Sequence, residues 1–313
     1  MPYKMMLLFT LHLTVSTIFL RIPSVYSQTV HSSPQASPSA VLVIGQQDTE
    51  DVNFCSGTLV APQWVLTARS CLYHNAIRLR RFHVYAGGEA YQEYATKTYL
   101  PNSQLHRSYH SFINTKYDLA LLKTQGMFKQ NDYVRVVPRI DEQVHTESFA
   151  TYSCDVTGFG VLNSTNSEVR RIKDKVLVYV PCFRRVGWSF DYWTWQRQKD
   201  LYGCTYRTIR TYPECAASTG AGLICEGKLV GVAHVIVTDT NKKWLYEPVR
   251  GNPCRDYSTT SVFSLVAPHR SWILQTMRPD RFKYEFQCNT SGIGLSKMYS
   301  LVAVIFGYIV IIF

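Results

Sequence analysis

The residues equipped for chemistry cluster in three segments. The first runs from Phe54 to Cys71 (FCSGTLVAPQWVLTARSC), where Cys55 and Cys71 bracket an apolar stretch and Ser70 stands beside the second cysteine. The second is Tyr117-Asp118-Leu119-Ala120-Leu121-Leu122-Lys123, a single carboxylate at the head of an apolar run. The third runs from Cys215 to Cys225 (CAASTGAGLIC) and continues from Gly227 to Val232, with Thr219 among small residues and glycines. Hydroxyls and a carboxylate serve covalent hydrolysis when a histidine accepts the hydroxyl proton. None of the three segments contains one. His74 follows the first segment by three residues, and His234 lies in the apolar run Leu223 to Val237.

Bringing such distant segments together takes a sizeable fold. The chain has 313 residues, 46% apolar and 18% charged, which excludes intrinsic disorder and supports a real core. Lys and Arg number 33 against 22 Asp and Glu, a net charge of +11. Short apolar or alternating stretches recur with turn residues between them: Ala40 to Ile44, Thr58 to Ala68, Tyr94 to Leu100, Asp118 to Lys123, Val176 to Val180 and Leu223 to Val237. That pattern predicts an all-β sandwich or barrel. From Pro268 to Met277, residues Trp272, Ile273 and Met277 fall at helical spacing after a proline suited to a first turn, so a helix is expected there. No repeat or long Gly/Ser linker interrupts residues 28–288, which read as one folded unit.

The two ends differ from this body. Residues 1–27 carry Lys4, an apolar run from Met5 to Leu20, Arg21 and the small-residue site Val25-Tyr26-Ser27, the layout of a secretory signal peptide cut after Ser27. The other reading is an uncleaved N-terminal anchor. Residues 289–313 form a hydrophobic tail whose last 16 residues, Met298 to Phe313, carry no charge. Three fates are open to it: a lipid-anchor (GPI) signal with attachment at Asn289, Thr290, Ser291 or Gly292, a membrane anchor that spans, or a segment folded onto the domain. Asn163-Ser164-Thr165 and Asn289-Thr290-Ser291 are glycan acceptor sequences, though Asn289 cannot be both glycosylated and an attachment residue. Nine cysteines in an exported chain leave at least one without an intramolecular partner.

In their order and separations the three segments resemble the chymotrypsin-like serine protease family. Cys154-Asp155-Val156-Thr157-Gly158-Phe159-Gly160 and Ser271-Trp272-Ile273-Leu274-Gln275-Thr276-Met277 fit its mid-chain cysteine strand and its C-terminal helix. The resemblance implies an all-β trypsin-like fold of two six-stranded antiparallel Greek-key barrels with a C-terminal helix. It puts Ser70 at the position of the catalytic imidazole, Asp118 at the carboxylate, Thr219 at the nucleophile and Ala217 at the oxyanion-hole glycine. The acid before the nucleophile becomes Ser218, and His234-Val235-Ile236 stands where the family usually carries Ser-Trp-Gly. By this assignment Asp118 has no imidazole to orient and Thr219 has no base. Nor does residue 22 to 68 contain a Lys or Arg at which trypsin-type activation would cut. The expectation is a protease scaffold without catalysis, needing no cofactor and no metal.

The same resemblance pairs Cys55 with Cys71, Cys154 with Cys225, Cys182 with Cys204 and Cys215 with Cys254. Cys288 is then left over, as a free thiol or an intermolecular bridge. Between Cys182 and Cys204, seven of 21 residues are aromatic, Trp188, Trp193 and Trp195 among them. They form either a packed loop or an interface patch. The clusters Arg78-Leu79-Arg80-Arg81 and Arg170-Arg171-Ile172-Lys173 are either solvated charge or a polyanion-binding face. The function expected is binding: an extracellular decoy, cofactor or assembly partner for an active protease or inhibitor, secreted or cell-surface tethered, with no nucleic-acid partner. Surface adhesion or glycosaminoglycan binding is the alternative.

Overall fold

The computed structural model describes residues 30–31, 33–114, 117–141, 151–161, 169–179, 201–205, 219–238 and 259–278. The first half of the chain supplies β1 (Ala40–Gln47), β2 (Glu50–Ala61), β3 (Trp64–Thr67), β4 (Arg81–Ala86), β5 (Gln104–Asn114) and β6 (Leu119–Thr124). They close into an antiparallel barrel in the order β1-β2-β3-β6-β5-β4. The second half supplies β7 (Thr151–Val161), β8 (Val169–Tyr179), β9 (Tyr202–Thr205), β10 (Gly222–Cys225), β11 (Lys228–Thr238) and β12 (Thr259–Leu265). These pair in the order β7-β8-β9-β12-β11-β10, and β10 returns to β7. The order is the same in both halves, so two six-stranded Greek-key barrels stand side by side.

Strand formation follows the apolar spacing. Residues Ala40 to Ile44 in β1 and Leu119 to Leu122 in β6 are buried, so these runs are apolar throughout rather than alternating. The stretch Thr58 to Ala68 breaks at Pro62-Gln63 into β2 and β3, since proline has no N–H for the ladder. Leu223 to Val237 breaks between β10 and β11 at Glu226 (φ 51°) and Gly227 (φ 75°), a two-residue turn with both central φ positive that suits the twist of a hairpin. One expected strand is absent. The Tyr94 to Leu100 stretch begins inside a short helix, α1 (Tyr91–Ala95), and Lys97 at φ 59° turns the chain out of any extended run.

After β12 a 3-10 turn (Ala267–His269) leads into α2, residues 270–278. Ile273 and Met277 are buried and join the core cluster of the first barrel. The C-terminal helix therefore straps the last element of the second half back onto the first. The second barrel has its own core of Val156, Val178, Leu223, Ala233, Phe263 and Leu265, and Leu42, Ile44, Tyr85, Phe159 and Val169 form a third cluster between the barrels.

Arg171 corrects the polyanion-face reading of its segment. It is 1% exposed, in β8, and donates through Nε to Gly88 O at 2.8 Å and through Nη1 to Ser37 O at 2.7 Å and Ala40 O at 3.1 Å. Its guanidinium lies 4.8 Å over the Phe159 ring, and burial lowers its pKa to about 10. Its neighbour Lys173 pairs with Asp155 at 3.1 Å. Alternation within a strand sends successive side chains to opposite faces, so Arg170, Arg171 and Lys173 in β8 cannot share one surface.

Among the described residues no helix is long and apolar enough to cross a membrane. The signal peptide (1–27), the tail (289–313), Asn163, Asn289, Trp188, Trp193, Trp195, Ala217, Cys182, Cys215, Cys254 and Cys288 lie outside the described residues.

Candidate functional site

The site is assembled where the two barrels meet. After β3 the chain enters a 3-10 turn (Arg69–Leu72) that presents Ser70, and the Cys55–Cys71 disulfide ties this turn to β2. Asp118 stands one residue before β6 and faces it. Its Oδ1 accepts the Ser70 backbone N–H at 2.7 Å, and its Oδ2 accepts the Ser70 hydroxyl at 3.0 Å.

A third donor arrives from the other barrel. His234 Nδ1 lies 2.5 Å from Asp118 Oδ2, with side-chain exposures of only 7% and 10%. The register between β11 and β12 shifts between Ala233 and Val235, so His234 is the residue of a β-bulge, and a bulge re-aims the side chain it carries. Tyr202 of β9 stacks on the His234 ring at 5.8 Å and 25°, fixing its plane. This overturns the expectation that Asp118 has no imidazole to orient. It holds one, contributed 116 residues downstream rather than by the position next to Cys71.

Thr219 reaches the same junction through its backbone. Its carbonyl accepts the Ser56 N–H at 2.8 Å, and Cys71 Sγ lies 3.6 Å from it. Ser56 also bonds Phe159 of β7, its hydroxyl donating to Phe159 O at 3.0 Å and accepting from Phe159 N at 2.7 Å. Next along the chain, Gly220 has φ +85°, and a Cβ there would fall 2.1 Å from Ser56 O. Only glycine lets the backbone pass so close to β2.

On the far side of Asp118, the Tyr117 ring packs 4.2 Å from the ring of His269, which precedes α2. His269 is buried, and desolvation pushes its pKa down to about 4, so it stays neutral. His74 is half-buried in its own hairpin, with Nε2 3.1 Å from Asn75 Nδ2. A second disulfide joins Cys154 in β7 to Cys225 in β10, and Cys204 is also disulfide-bonded. Among the described residues no group of acidic, histidine and cysteine side chains is arranged to hold a metal.

A buried carboxylate between a 3-10 turn and a bulged strand, at the seam of two like barrels, is a specific arrangement. The trypsin family model matches residues 28–253. The chain belongs to the trypsin family. It is similar to kallikrein-1E2 of Equus caballus, 22% identical over 237 residues, covering 71% of this chain and 80% of that protein. It is also similar to chymotrypsin-C of Bos taurus, 24% identical over 234 residues, covering 72% of this chain and 78% of the relative. The solved structure of neuropsin, a serine protease expressed in the limbic system of mouse brain, matches with a TM-score of 0.56 at 18% identity, over 80% of this chain and 99% of neuropsin. At that identity the structural likeness establishes the trypsin fold and nothing finer.

The one functional contact that sequence reasoning missed is His234 on Asp118. Its signal was a histidine in an otherwise apolar strand, at the position where the resemblance expects a serine. How far the imidazole reaches depends on the bulge, which no local pattern specifies.

Proposed function

We propose that this trypsin-family chain is a non-catalytic extracellular protein that works by binding, as a decoy, cofactor or assembly partner in a protease network. The observation carrying the reading is the set of bonds on Asp118. In an active site of this kind a hydroxyl gives its proton to an imidazole that the carboxylate orients. Here the Ser70 hydroxyl gives its hydrogen bond to the carboxylate itself, and the imidazole on that carboxylate comes from the position of a family serine. Loss of a triad member removes on the order of 10⁴ or more in turnover, so such a site is silent for physiological purposes. The missing acid at Ser218 and the absence of Lys or Arg from residue 22 to 68 support the same reading, because zymogen-type activation has neither a cleavage site nor an acceptor.

The extracellular setting rests on the disulfides and the signal-like N-terminus. Cell-surface tethering by the apolar tail belongs to the same proposal, and release by a phosphatidylinositol-specific phospholipase tests its lipid-anchored form. Catalysis is tested with a fluorophosphonate probe on the purified ectodomain. Neither Thr219 nor Ser70 is expected to label. Labelling of either that disappears in His234→Ala would sink the non-catalytic reading and identify His234 as a base.

A further inference from the structure

An open groove of about 620 Å³ lies on the first barrel between residues 78–80 and residues 109–112. Its origin is a divergence of strands. β4 pairs with β5 only as far as Phe82 opposite Ser108, while β5 runs on to Asn114 beside β6. The chain before β4 turns away into a small hairpin, Tyr73–His74 with Ile77–Arg78. One edge of β5 is thereby left to face residues 78–80.

The surface of this groove is unusual in two respects. It carries Arg78, Arg80 and His110 with no carboxylate in its lining, and neither arginine forms an ion pair among the described residues. It also exposes apolar surface. Five large hydrophobic side chains are exposed among the described residues; two of them, Tyr109 (42%) and Phe112 (40%), line the groove, and a third, Ile77 (54%), precedes Arg78 in the chain. Tyr109 is turned outward by a bulge between Ser108 and His110. Arg78 is preset across the gap, its Nη2 donating to Ser111 O at 3.3 Å and to Ser111 Oγ at 3.1 Å. That nitrogen carries only part of the five-donor fork of an arginine, so a carboxylate can still be bound by the rest.

We propose that this groove docks an acidic peptide segment of a partner protein, with carboxylates on Arg78 and Arg80 and an apolar side chain against Tyr109 and Phe112. The proposal rests on the reading that the chain works by binding, and it names where and what. A sulfated polysaccharide would use a continuous run of cations. Here cations are interleaved with exposed aromatic rings, which suits an extended peptide whose side chains alternate in chemistry.

The test is fluorescence anisotropy with a labelled glutamate-rich peptide carrying one central Phe, compared with the same peptide bearing Ala for Phe and with a heparin oligosaccharide. The full-length wild-type protein is expected to bind the Phe peptide saturably, more weakly as salt rises. Arg78→Glu with Arg80→Glu should weaken binding by at least about tenfold, and the milder Arg78→Gln with Arg80→Gln should weaken it less, at unchanged melting temperature. Tyr109→Ser with Phe112→Ser should abolish the preference for the Phe peptide over the Ala peptide. Unaltered binding by the arginine variants, no saturable peptide binding, or tighter binding of the heparin oligosaccharide through the same arginines each overturns the proposal. A silent fluorophosphonate probe alongside failed peptide binding removes the groove assignment alone, whereas probe labelling removes the non-catalytic reading alone.

Discussion

Asp118 accepts three hydrogen bonds on two oxygens in a nearly buried setting. Asp118→Ala leaves the Ser70 N–H, its hydroxyl and the His234 imidazole without their acceptor, and should cost about 3 kcal/mol in urea unfolding. Ser70→Ala removes one of those bonds together with its donor and should cost about 1 kcal/mol. A cost for Asp118→Ala no larger than for Ser70→Ala would mean that the His234 contact contributes nothing. The positions of Asp118 and Ser70 were legible through the family resemblance of their motifs, but the hydrogen bonds between them were not. His234 was not, because its approach depends on a bulge in a strand of the other barrel.

At the level of elements, burial in the packed strands and at the turn before α2 perturbs the proton affinity of several histidines. Burial keeps the His269 imidazole neutral down to about pH 4, against 6.5 for an ordinary histidine, so the unfolded chain takes up the proton first. Stability tied to neutral His269 is therefore complete above about pH 6.5 and is lost as pH falls through about 4. His83, lowered by burial and then by the charge of Arg107, and His106, lowered by burial, add to the same acid limb. Melting temperatures measured from pH 7.5 to 4 should fall, and His269→Gln should flatten part of that fall; an unchanged slope would refute the assignment. Arg171 gives the other test at this scale. Arg171→Met strips three backbone carbonyls of their donor and should cost about 3 kcal/mol or more, with Arg171→Lys restoring only part because one ammonium cannot reproduce the guanidinium fork. A stabilised Arg171→Met would show that desolvation of the cation outweighs its bonds.

For the whole molecule, two barrels of identical strand order are linked by Ser56 to Phe159 and Thr219, by Arg171 to Ser37 and Ala40, by His234 to Asp118, and by α2 on the first core. With so many links they should unfold in one transition, the same by tryptophan fluorescence and by calorimetry. Disulfides add to this. Cys55–Cys71 closes a sequence separation of 16 and Cys154–Cys225 one of 71, so on chain entropy alone they contribute about 3 and about 4 kcal/mol. Reduction should therefore lower the melting temperature, and Cys154→Ala with Cys225→Ala should lower it more than Cys55→Ala with Cys71→Ala.

The amino-acid sequence by itself determined the apolar strands at residues 40–44, 118–123 and 223–237, the cysteine-bracketed turn, the terminal helix and the lone carboxylate of Asp118, because each follows from apolar period, turn residues or near neighbours. Only the tertiary structure decided that Asp118 would be met by His234, that Arg171 would be interior rather than part of a basic face, and that β5 would leave a groove beside Arg78 and Arg80. Those outcomes depend on which distant carbonyls, rings and strand edges surround a side chain. Such surroundings exist only after two barrels have closed and packed together.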